Sequence, residues 1–283
     1  MRLPGTDRRL DAYWLLVAPL LVLVAVFFAW PVLNILLISV TEPAPGLGNY
    51  EKLITSASLG RILRTTLRIC LLNTVMSVAV GYLIAYTMVH LGGRERAWML
   101  ALMLLSFWVS VLVRAFSWLT LLGRNGLINA MLTGSGLVDE PVAFVRNETG
   151  VLIGMVHYMI PYAVLPLLAN MQGIDQRIMD ASRSLGAGPL HGFLRIYLPL
   201  SAPGLVAASL LVFIISLGFY VTPALLGGGR VLMVAEYISV QVLVTVQWGV
   251  ASMLATLVLA SVFGLLFVLS RVMSISELFG ARA

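Results

Sequence analysis

The sequence predicts an all-α polytopic membrane protein with about six transmembrane helices. Three observations lead there. Hydrophobic residues fill 60% of the 283 positions and charged ones only 11%, with a mean hydropathy of +0.99. The apolar residues gather in runs of span length, since about 20 suffice to cross the hydrocarbon core. The remaining charges fall between the runs, with one exception at Arg114.

Ala12–Thr41 is the first run. It exceeds a signal-peptide core of roughly 7–15 residues, and no small-residue cleavage site follows it, so it reads as a retained span. Glu42–Arg64 is a connecting loop in which Pro43, Pro45, Gly46 and Gly48 favour turns. Ile69–Gly93 is the second run, closed by the tight turn Gly92–Arg96. Ala97–Gly123 is the third, interrupted only by Arg114, and Arg124–Glu148 is a second loop. Thr149–Ile174 carries Pro161 and Pro166, which are expected to kink it because each removes a backbone donor. Ile196–Gly229 and Tyr237–Ser270 each exceed one span and must include interfacial or loop residues. No long linker or internal repeat divides the chain, so residues 1–283 read as one transmembrane domain.

Charge asymmetry supplies an orientation. With both termini in the cytoplasm, the inner segments hold Arg2, Arg8, Arg9, Arg94, Arg96, Arg177, Arg183, Arg195, Arg271 and Arg282. The outer loops then hold fewer: Lys52, Arg61, Arg64, Arg124, Arg146 and Arg230. Cytoplasmic loops favour Lys and Arg, so residues 1–11 and 175–199 are placed inside. The net charge of +6 is spread along membrane edges, without a basic patch interleaved with aromatics, and implies no nucleic acid. A single cysteine, Cys70, excludes an intramolecular disulfide. His90, His157 and His191 match no metal-ligand spacing.

The polar stretch Asp180–Pro199, DASRSLGAGPLHGFLRIYLP, interrupts this apolar chain. It reads as a short helix (Gln176–Leu185), a small-residue turn (Gly186-Ala187-Gly188-Pro189) and a second helix stopped by Pro199. Glycine permits the turn and a close backbone approach, and a short amphipathic helix can seat in a partner's groove. Asp180 and Arg183, three apart, can pair locally or reach across to a partner. The alternative is an ordinary membrane-surface loop anchored by Arg177, Arg183 and Arg195.

An acid followed by Ala181, Ser182, Arg183 and Leu185, then Gly186-Ala187, Ile196 and Leu198-Pro199, resembles the EAA coupling segment of bacterial ABC importer permeases. Asp180 stands for the usual Glu and Ser182 for the second Ala. The likeness extends to Gly81-Tyr82-Leu83-Ile84-Ala85-Tyr86, Val113-Arg114 with Trp118, Gly126-Leu127-Ile128-Asn129 and Ser216–Pro223, which resemble the spermidine/putrescine branch. The resemblance implies a type I ABC importer permease in a bacterial inner membrane. It implies a second permease subunit, a cytoplasmic ATPase dimer on the coupling segment and an extracytoplasmic solute-binding protein. The cargo would be a polyamine or related organic cation; an opine, a metal complex or an anion stays open. ATP and Mg would belong to the partner ATPase. The chain itself has no Gly-x-x-x-x-Gly-Lys-Ser/Thr, and its only lysine is Lys52.

Arg114 is the one charge deep in a run. It reads either as a gate residue near Trp118 or as a structural group bonding helix carbonyls. Trp108, Trp118, Tyr158, Tyr162 and Tyr220 could line a route for an organic cation through cation–π contacts, or serve as belt and packing residues. Glu236 offers a carboxylate at the outer face, and no Asp or Glu lies inside a run. Arg61, Arg64 and Arg68 share a helix face suited to headgroups. Gly186, Gly218, Pro161 and Pro223 are candidate bending points. A stand-alone secondary transporter would place coupling carboxylates in repeated halves, and an intramembrane enzyme would need a nucleophile–base or metal constellation. Neither pattern is visible.

Overall fold

A computed structural model describes residues 10–272, with side chains for residues 17–271, and contains no strand among them. Helices α1 (Leu10–Val24) and α2 (Trp30–Thr41) are joined by a π-helical turn, Ala25–Ala29. Then come α3 (Gly48–Thr55), α4 (Ala57–His90), α5 (Gly93–Trp108), α6 (Val111–Leu121), α7 (Leu127–Gly134) and α8 (Glu148–Gln172). Helices α9 (Gln176–Ser184), α10 (Pro189–Gly192) and α11 (Leu198–Leu200) form the polar stretch, with a π turn at Phe193–Tyr197. The remainder is α12 (Ala202–Leu217), α13 (Val221–Gly227), α14 (Val234–Leu243) and α15 (Trp248–Val272). The polar segment expected over residues 1–11 lies almost wholly outside the described residues, as does Arg282.

Four helical stretches are long and apolar enough to cross a membrane, and two bent pairs raise the number to six. The third run differs from its expected form. Instead of one span it is α5 and α6 meeting at 97°, broken at Val109-Ser110 without a proline or glycine. The polar stretch differs too. Pro199 does not stop a helix: it sits at the first turn of α11, and Pro189–Leu200 bends by 61° into Ala202–Leu217. The preceding π turn shifts the register, with the Leu198 N–H bonding the Phe193 carbonyl, so a residue without a donor is accommodated. Helix α8 continues through Pro161 and Pro166.

The chain forms two compact units. The first comprises the described residues up to Thr55 together with Ile238–Leu259. Here Asn49 donates to the carbonyls of Ser39 (3.2 Å) and Glu42 (2.6 Å). Ser39 donates to Leu36 and accepts from the Tyr50 hydroxyl at 2.9 Å. A Cβ on Gly249 would collide with the Glu42 carbonyl oxygen and the Asn49 amide, so only glycine fits.

The second unit, Ser56–Tyr237 with the described residues from Ala260, is built around α4, α8 and α12. A Cβ on Gly81 would stand 2.8 Å from that of Ala163, and one on Gly204 only 2.7 Å from the Asn170 Cβ. Small residues let membrane helices approach where no hydrophobic force drives them together. Asn73 Nδ2 donates to Ser216 Oγ at 2.7 Å, and Ser77 donates to Asn73 Oδ1 at 3.3 Å. Such bonds contribute roughly 0.6 kcal/mol each in membrane proteins. Leu83 and Val75, 68% and 66% exposed, carry the other face of α4, which suits hydrocarbon.

Gly249→Ala is expected to destabilise the chain by about 1–3 kcal/mol, because the backbone it meets cannot rotate away. A lowered thermal midpoint in detergent checks this.

Candidate functional site

The polar stretch is locally well determined. Asp175 caps α9, accepting from the Arg177 N–H at 2.9 Å. At the other end the Ala187 N–H bonds the Ser182 carbonyl (3.0 Å) and the Gly186 N–H bonds that of Arg183 (2.9 Å). This is a Schellman closure, which needs a left-handed residue, and Gly186 has φ +82°. A Cβ there would meet open space, so glycine is required by conformation and not by crowding.

Ser182 is buried, donates to the Met179 carbonyl at 2.8 Å and faces Gly192 of α10. It therefore holds the angle between α9 and α10 and presents nothing outward. Asp180 and Arg183 pair locally at 3.2 Å, each more than two-thirds exposed, and such a pair contributes little. Around them Leu185 (89% exposed), Leu190 (69%) and Leu194 (49%) stand in the open, and Pro189, Leu190, His191 and Leu194 line a shallow pocket. Ala181 and Pro199 are exposed; Ala187, Ile196 and Leu198 are half-buried.

Arg114 lies at the break between α5 and α6. One guanidinium nitrogen donates to the carbonyls of Ser106 and of Val109 (2.9 Å). Those carbonyls are left over where α5 ends, and a cation there also meets the negative end of the helix dipole. The contacts are thus those of the structural reading. The guanidinium also lies 4.7 Å over the Tyr158 ring. Tyr158 and Tyr162 stack at 5.7 Å and are extended by Phe219 (4.8 Å) and Phe107 (5.0 Å). Trp118 donates to Nδ1 of His157 at 3.2 Å on an exposed face.

Arg114, Tyr158 and Tyr162 are therefore brought together, whereas Tyr220 joins no ring pair and is 43% exposed. Sequence reasoning gives Phe107 and Phe219 no site role, because a lone Phe in an apolar run carries no signal, and it reads His157 only as outside any metal-ligand spacing. Glu236, expected at an outer surface, is buried in the first turn of α14, with Oε2 unpartnered. Burial pushes its carboxyl up to about 7, although the Met233 N–H favours the anion. Of the arginine face, Arg68 pairs with Glu148 at the start of α8, and Arg64 donates to the Gly60 carbonyl at 3.2 Å.

Spans of this number, with an exposed polar segment between two core helices, define a multi-pass membrane protein. Residues 77–276 match the family described as "Binding-protein-dependent transport system inner membrane component", and the chain belongs to it. It is a transport component of the inner membrane and not an enzyme. It is 31% identical over 202 residues to the spermidine/putrescine transport system permease protein PotB of Escherichia coli (strain K12), covering 71% of this chain and 73% of that one. With PotB of Haemophilus influenzae the identity is 34% over 179 residues and 63% of each chain, less than two thirds of that relative's length. The molybdenum transport system permease protein ModB of Azotobacter vinelandii is 28% identical over 166 residues, 59% of this chain and 72% of that one. A solved bacterial ABC transporter involved in import of the acidic polysaccharide alginate superposes with TM-score 0.73 at 19% identity, covering 93% of this chain and 97% of that one. That likeness concerns the fold.

Arg114→Ala leaves carbonyls at the α5 end unpaired and should cost about 1–3 kcal/mol. Arg114→Lys, keeping a donor, should cost less, and thermal melts of the two purified variants check the order. Tyr197→Phe removes a buried hydroxyl that has no partner. It should leave thermal stability unchanged or raise it, since the hydroxyl is desolvated without compensation.

Proposed function

We propose that the chain is the permease subunit of an ATP-driven importer that carries a polyamine or related organic cation inward by alternating access. In this reading residues 175–199 face the cytoplasm with both termini, and an ATPase dimer docks there, binding ATP and Mg. A second permease subunit completes the path, and an extracytoplasmic binding protein delivers the solute. The carrying observation is the exposed apolar and charged face of α9–α10 around a fixed left-handed Gly186. Exposed Leu185, Leu190 and Leu194 flank a weak Asp180–Arg183 pair that a partner could redirect. Apolar groups gathered on an otherwise polar segment mark a docking surface. The spermidine/putrescine transport systems of the two PotB relatives support the cargo class, and the stacked Tyr158–Tyr162 pair offers π faces to an ammonium.

One observation favours a second cargo class. The cation position over Tyr158 is held by Arg114, and among the described spans the only carboxylates are the helix-terminal Glu95 and Glu148. A solute bearing a carboxylate would suit that charge better. Calorimetry of the cognate binding protein with putrescine and with carboxylate-bearing analogues separates the two.

Gly186→Glu and Asp180→Arg are each expected to abolish putrescine uptake while the chain still accumulates in the membrane. In both cases the ATPase should be lost on purification. An undiminished ATPase in the Gly186→Glu complex would overturn the docking assignment.

A further inference from the structure

The Gly81–Tyr86 stretch of α4 has no part in the docking face or in the Tyr158 cluster. It lies against the second half of the coupling segment. Tyr82, Tyr86 and His90 are spaced by four and so form one stripe on α4. Phe193 and Tyr197 form a matching stripe on the π turn that follows α10. The two stripes interleave. Tyr86 meets Phe193 edge-on at 5.6 Å and Tyr197 at 5.1 Å, with interplanar angles of 89° and 86°. Tyr82 meets Phe193 at 6.1 Å and 86°. Edge-to-face contacts are directional, so this arrangement fixes orientation as well as distance.

Three further features make the contact a clasp. Tyr197 is 1% exposed, so its ring is sunk into the bundle. Ser201 donates to the Leu198 carbonyl (3.0 Å) and accepts the Tyr82 hydroxyl at 2.9 Å, which ties α4 to the 61° bend before α12. On the side facing α8, Gly81 is in close approach to Ala163 and Ala85 is wholly buried, so this stretch cannot slide freely. The covalent routes out of the docking face are a short non-helical link and a bend. On one side lie residues 173–175, leading back to α8, and on the other the bend at Ser201. A displacement of α9 would be absorbed at those points unless a packed contact carried it onward.

We infer that the Tyr82–Tyr86 and Phe193–Tyr197 clasp is the element that transmits motion between the coupling segment and α4. This rests on the docking role proposed for residues 175–199. The rings grip at a site that touches neither solute nor nucleotide, so these are positioning residues. Coupling carried by packed side chains requires their contact to survive in both states, and its loss lowers inter-site coupling without removing either site.

The test uses the whole importer in proteoliposomes, with its partner permease subunit, its ATPase and its binding protein loaded with putrescine. Tyr86→Ala should retain the ATPase on purification and keep basal ATP hydrolysis near the parent level. Stimulation by loaded binding protein should fall at least about five-fold, the lower end of ordinary inter-site coupling. Tyr86→Phe, which keeps the ring, should retain stimulation. The double variant Tyr86→Ala/Phe193→Ala should lose less than the sum of the two single losses, because the singles share the Tyr86–Phe193 contact. If Tyr86→Ala does not accumulate, Tyr86→Leu, which keeps apolar volume without the ring, is read instead. Unchanged stimulation, a parallel fall of basal and stimulated hydrolysis, or additive losses in the double variant would overturn the clasp. Failure of the docking role has a different signature, retention of the ATPase by Gly186→Glu.

Discussion

The close approach of α4, α8 and α12 is the constraint on which the second unit depends. No hydrophobic force distinguishes a neighbouring helix from lipid, so these helices must earn their contact through shape and hydrogen bonds. Gly81 against Ala163, Gly204 against Asn170, and Asn73 donating to Ser216 provide both. Once these helices are fixed, α8 presents Tyr158 and Tyr162 to Arg114, and α4 presents Tyr82 and Tyr86 to the coupling segment.

The two polar features of the bundle answer different needs. Arg114 satisfies carbonyls exposed by a 97° break in a span, and its charge then shapes the aromatic cluster beside it. The polar stretch between α8 and α12 keeps an outward face open while staying attached to the core. It does so with an inward Ser182, a left-handed Gly186 and rings anchored at Tyr197. Departures at Asp180 and Ser182 from the family's usual residues thus fall on unlike positions. Asp180 is exposed beside Arg183, whereas Ser182 acts inside the α9–α10 angle.

Fold class and the helix–turn–helix form of the polar stretch were legible because both depend on local composition. Apolar runs need only length to mark spans, and Gly186-Ala187-Gly188-Pro189 marks a turn by its small residues. The break at Val109-Ser110 left no such mark, since nothing there is a proline or glycine. What accompanies it is Arg114, four residues beyond the break, bonding back across it to the Val109 carbonyl. Pro199 misled in the opposite direction, because a π turn had already shifted the register before it.

Chain chemistry alone therefore established a multi-span helical protein interrupted by one polar segment, since hydropathy and turn residues act over a few neighbours. Which aromatics meet depended on long-range packing. Tyr86 and Tyr197 are more than a hundred residues apart, and Arg114 and Tyr158 belong to different spans. Ring partners and the burial of Glu236 follow from how helices cross, which no local pattern encodes.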